Sequence, residues 1–141
     1  MTISHHLQAF WDSLVDDLCL KEPCYVRVFR VLAEIRDGIC DLAGSRESEV
    51  LRDIIDIDFI RKQVDIGAFD WGSCKRLVGG VLDSIRRIQA PARDAETHAL
   101  WKSLSSSMLA ADVDQPRILC KALEFLLDRV NVLRIDAANS R

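Results

Sequence analysis

The last stretch of the chain constrains the fold most. Between Pro116 and Ala138, the residues Ile118, Leu119, Leu123, Phe125, Leu126, Leu127, Val130, Val132, Leu133 and Ile135 fall around most of the circumference of one helix. A surface helix needs only one apolar stripe, whereas a helix apolar nearly all round must be enclosed by several neighbours. The rest of the chain therefore has to supply the helices that enclose it. A length of 141 residues is enough to bury a real core in one domain. The expected fold is all-α: a single domain over residues 1–141, an irregular bundle of about six helices joined by short turns.

The preceding segments supply those helices. Ile3 to Leu20 repeats apolar residues at Ile3, Leu7, Phe10/Trp11, Leu14 and Leu18, one face of a helix. A second helix is expected from Pro23, with Tyr25, Val28, Phe29, Leu32, Ile35, Ile39 and Leu42 on its stripe. Gly44 is expected to close it and Ser45 to cap the next. The third segment, "SRESEVLRDIIDIDFIRKQVDIG", changes its pattern near Asp56, where a break is expected with Asp56 capping the second half. A short strand at "DIIDIDFI" is the rival reading, weakened by the lack of any partner strand.

Gly67 is then expected at the left-handed C′ position and Asp70 at the N-cap of the next helix, with Phe69 and Cys74 as a hydrophobic staple. The Gly79-Gly80 pair inside that helix marks either a kink or a close neighbour. Pro91 ends the run, Asp94 caps the fifth helix, and "DVDQP" turns the chain into the last.

Composition narrows the function classes. The net charge of −3 gives no global pull towards nucleic acid. Five cysteines, an odd count at scattered spacings, suit a reducing compartment. No window approaches the ~20 apolar residues of a membrane span, and the N-terminus lacks a basic region followed by an apolar core. A cytoplasmic, soluble protein is expected.

No residue set with recognised spacing calls for a metal or cofactor. His5-His6 points its two rings about 100° apart on a helix, and Cys19 and Cys24 are too distant for a CxxC pair. Asp94 and His98, one turn apart, sketch a general base, and Cys120 completes a rival reading as a small helical enzyme or metal-binding protein. Arg93, after Pro91 and beside Asp94, is placed to fork onto a carboxylate or onto helix-end carbonyls, as a clasp or as a partner contact.

Two blocks, "DIDFIRKQVDIGAFD" and "APARDAE", resemble the paired hallmark of the T-complex protein 11 family, and "AFWDSL" and "VLRIDAANS" resemble flanking family blocks. Phe69, Gln89 and Ala95 depart from the family pattern at packing positions. The resemblance implies an all-helical, non-enzymatic protein of intracellular signal transduction, linked to cyclic AMP and protein kinase A. It carries no catalytic residues over; Gly67, Ala68, Asp70, Pro91, Arg93 and Asp94 are the matched motif positions. Family members generally continue past the block that here holds Asn139, so the chain resembles the N-terminal part of the family domain. Uncovered apolar residues are then expected on the last helix at Phe125, Val132 and Ile135, a surface for a protein partner or for self-association.

Overall fold

The computed structural model describes the backbone of residues 3–110 and 114–140, and the side chains from Gln8 onward within those ranges. Seven α-helices are present there and no strand: α1 (Ile3–Leu18), α2 (Val26–Cys40), α3 (Ser45–Ile54), α4 (Ile57–Asp65), α5 (Trp71–Ile88), α6 (Asp94–Met108) and α7 (Gln115–Asn139). A 3-10 turn, Pro91–Arg93, leads into α6. The side chains of His5 and His6 lie outside the described residues, as does the start of the "DVDQP" turn.

The last helix is the column of the fold. It packs against α1, α2, α5 and α6, burying Leu119, Cys120, Ala122, Leu123, Leu126, Val130 and Leu133. Each fully buried leucine contributes roughly 1.5–3 kcal/mol of transfer free energy, which is why this helix draws so many neighbours. Asp114 starts it, accepting from the Arg117 amide at 3.3 Å.

The third segment is two helices, and this accounts for seven where about six were expected. Ile55 leaves helical geometry at φ −102°, ψ 67°. Asp56 then caps α4, its carboxylate accepting from the Phe59 amide at 3.0 Å. The expected break is where the pattern placed it, and the strand reading is overturned. A lone strand here would have left its backbone unpaired, whereas the cap satisfies an amide locally.

Three local expectations are corrected. Pro23 lies outside α2, which starts at Val26; the connector is tied back instead, Cys24 N–H donating to the Asp17 carbonyl at 3.0 Å. Gly44 is extended (φ −69°, ψ 167°) and is the N-cap of α3, not the closing residue of α2. The α2 end closes without a left-handed residue because Leu42 and Ala43 both donate to the Ile39 carbonyl. Ser45 is accordingly the first helical residue rather than the cap.

The glycine pair of α5 marks a close neighbour, not a kink. The helix runs unbroken through it, and a Cβ on Gly80 would sit 3.2 Å from Ile54 Cγ2, while one on Gly79 would meet nothing. Of the cysteines, Cys74 and Cys120 are buried, Cys24 and Cys40 half-buried, and Cys19 exposed; all five are free thiols. Burial pushes the Cys74 and Cys120 thiols up to about 12.

Candidate functional site

The matched motif positions occupy two helix junctions. At the α4–α5 junction, Gly67 has φ +73°, a conformation that costs glycine nothing. It lets the Gly67 amide donate to the Val64 carbonyl (3.1 Å) and the Ala68 amide to the Gln63 carbonyl (2.8 Å). That pair of bonds is a Schellman closure. Three residues on, Asp70 Oδ1 accepts from the Ser73 amide at 2.8 Å and the Ser73 hydroxyl at 3.0 Å. These bonds, the amide first, hold the Asp70 carboxyl below its ordinary range. Phe69 and Cys74, the expected staple pair, line one recess with Trp71. Loss of the cap is expected to lower the melting temperature of Asp70→Ala by about 3–5 °C; an unchanged calorimetric midpoint would show that the cap carries no stability.

At the α5–α6 junction the expected role of Asp94 is corrected. It is already helical (φ −61°, ψ −44°), because the Pro91–Arg93 turn feeds directly into α6. The residue with extended geometry ahead of the turn is Ala90. The Asp94 carboxylate accepts instead from the Gln89 side-chain amide at 2.7 Å. The other end of that amide accepts from the fully buried Thr97 hydroxyl at 2.9 Å. Gln89 thus staples the end of α5 to the start of α6.

Arg93 is a clasp. Its Nε and Nη2 donate to Asp136 Oδ2 (3.0 Å) and Oδ1 (2.9 Å), a side-on fork onto α7. Its Nη1 donates to Glu96 Oε2 at 3.2 Å. Glu96 bridges onward, Oε1 accepting from Arg129 Nη1 at 2.8 Å. The chain of four charges Asp136–Arg93–Glu96–Arg129 fastens the 3-10 turn and α6 to the central helix. Hydrogen bonding drives both carboxyls below their ordinary range, from Arg93 for Asp136 and from Arg129 ahead of Arg93 for Glu96.

Arg129 is the residue that reasoning from sequence missed. It is only 4% exposed, on the inner face of α7 beside Leu126, Val130 and Leu133. Its place among apolar residues at helical spacing was visible, and a charge on such a face implies a buried partner. Asp136 lies within the "VLRIDAANS" block but carried no assigned role, since nothing local links it to a residue 43 positions earlier.

The rival constellation does not assemble. His98 is exposed, Asp94 is engaged by Gln89, and the buried Cys120 opens onto a groove that contains neither. Among the described residues, no three of His, Cys, Asp and Glu come together as metal ligands, and no helix is long and apolar enough to cross a membrane.

The expected apolar surface on the last helix is also corrected. Phe125 is half-buried and stacks on Trp101 of α6, ring centroids 6.3 Å apart and planes 21° from parallel. Val132 is half-buried as well. Ile135 alone of the three is open, at 58% exposure. The reason is α6, which lies along α7 and covers the side that carries Phe125. Open apolar residues instead flank the first motif junction, where Phe59 and Ile66 are 58% and 74% exposed.

No solved structure matches the chain. The profile of the T-complex protein 11 family matches residues 4–141, so the two hallmark junctions, the flanking block at Ala9 to Leu14 and the Asp136 block all fall within the matched region. The chain belongs to the T-complex protein 11 family.

Proposed function

We propose that this chain is a non-catalytic helical adaptor of intracellular signal transduction, acting in the cytoplasm in the branch that runs through cyclic AMP and protein kinase A. The family resemblance supplies the pathway, and one structural observation supports the adaptor reading. At the hallmark junction the polar motif residues are spent on capping and closure, yet Phe59 and Ile66 beside them stand open to solvent. Phe59 also edges a groove of ≈ 380 Å³ between α3, α4 and α5, lined by Ile54, Gln63, Phe69 and Leu77. A groove of apolar floor between helices suits an amphipathic helix of a partner protein.

The test is calorimetric titration of the purified chain with the regulatory and the catalytic subunit of protein kinase A, separately, and with cyclic AMP alone. One kinase subunit is expected to bind saturably. The double variant Phe59→Ser/Ile66→Ser, whose changes leave the core untouched, is expected to weaken that binding at least tenfold. Absence of binding by both subunits would remove the kinase link. Equal binding by the double variant would move the docking surface elsewhere.

A further inference from the structure

A second groove, of ≈ 520 Å³, lies between α1 and α7 with Leu100 of α6 at its rim. Its floor is one face of α7, including Phe125 and Arg129, and its far wall includes Trp11 and Val15 of α1. Arg129 donates Nη1 to Glu96 at 2.8 Å, but its Nε and Nη2, both buried, have no hydrogen-bond partner among the described residues. Those two nitrogens form the side-on edge of the guanidinium, the same edge with which Arg93 grips both oxygens of Asp136. Such an edge is matched in spacing and plane by a carboxylate. A buried donor left without an acceptor is costly, so a ligand that supplies two acceptors there gains more than it would on the surface.

We infer that this groove is a binding site for a small organic acid, its carboxylate seated on the free edge of Arg129 and its flat apolar body between Trp11 and Phe125. This site is separate from the hallmark junction and does not rest on the adaptor reading. Both nitrogens are buried, so entry requires a wall side chain to swing aside, and Leu100 at the rim is 46% exposed. The charges facing the groove set the strength of binding. Asp12 of α1 and Glu124 and Asp128 of α7 oppose a second anion, Arg117 and Lys121 favour it, and Glu96 and Asp136 already share the charge of Arg129. The geometry therefore selects the ligand, and the field keeps its affinity modest.

The probe is phenylacetate, with the neutral isostere phenylacetamide as comparator, followed in the ¹H–¹⁵N spectrum of the full chain. The Arg129 Nε–H resonance is expected to shift saturably with phenylacetate and to stay in place with phenylacetamide. Arg129→Lys keeps the charge for Glu96 but loses the fork, and is expected to weaken phenylacetate binding at least tenfold. Phe125→Ala, which leaves the Arg129–Glu96 pair intact, should weaken it several-fold by removing one wall. An Nε–H resonance unmoved by phenylacetate would overturn the assignment, as would equal shifts with the amide or full affinity in a folded Arg129→Lys chain.

Discussion

Gly38→Val is expected to destabilise the protein by about 3 kcal/mol, the upper part of the range for overpacking a well-filled core. Gly38 is buried in α2 where that helix crosses the central one. A Cβ there would lie 2.6 Å from Val130 Cγ1 and 2.6 Å from Arg134 Nη2. The arginine end can swing away, but Val130 is fully buried and has nowhere to go, so α2 and α7 must part. Gly79→Ala in α5 is the control: its Cβ meets nothing, and removal of a mid-helix glycine should stabilise by about 0.5–1 kcal/mol. Urea denaturation of both variants decides the matter. Combining Gly38→Val with Val130→Ala should cost less than the sum of the two, because the second change vacates the contested space. Strict additivity would mean that the two helices are not in close contact there.

The second large effect concerns Glu96. Its replacement by alanine removes the carboxylate that pairs with the buried Arg129 and leaves that charge without a hydrogen-bonded partner among the described residues. Glu96 itself is 45% exposed, but removing it strands the buried Arg129 charge, which is more damaging than removing both groups. The melting temperature of Glu96→Ala is expected to fall by about 10 °C or more. The double variant Glu96→Ala/Arg129→Met should recover much of that loss. Asp58→Ala, which breaks the solvent-facing pair with Arg61 at 3.5 Å, should leave the midpoint within about a degree or two. A Glu96→Ala chain that melts like the wild type would show that the charged clasp carries no stability.

The same clasp sets a pH dependence. The carboxyls of Asp17, Glu96 and Asp136 are held below their ordinary range, chiefly by hydrogen bonds from Arg27, Arg129 and Arg93 respectively. Their folded-state pKa lies below the unfolded one, so the stability they contribute is complete above about pH 5 and is lost as pH falls below about 4. Burial pushes Glu124 and Asp128 the other way. Their contribution is complete at low pH and fades as pH rises through their raised values, which partly offsets the acid loss.

Much of the fold was legible because it follows from local rules. The apolar girth of the Pro116–Ala138 segment identified the central helix, and the change of pattern at Asp56 located the break that Asp56 caps. Gly67 and Asp70 declared a closure and a cap because left-handed backbone and exposed amides each admit few residue types. Legibility failed where several local solutions compete. Gly44 can close a helix or start one, and the bonds to the Ile39 carbonyl decided it. Asp94 can cap a helix or join it, and a 3-10 turn ahead of it decided that. The ion chain through Arg93, Glu96, Arg129 and Asp136 was out of reach for a different reason: its links span 33 and 43 residues, and only the docking of α6 on α7 brings them together. Phe125 was misplaced on the open surface because that same docking covers it.

The hallmark arginine works within the molecule, holding the α5–α6 junction onto α7 through Asp136. A double-mutant cycle tests it most directly, with thermal unfolding of Arg93→Ala, Asp136→Ala and the double variant against wild type. If the fork between them carries the effect, each single change lowers the midpoint and the double lowers it no further than the worse single. Two losses that simply add, or an Arg93→Ala chain as stable as wild type, would rule out this role and return Arg93 to the surface as a partner contact.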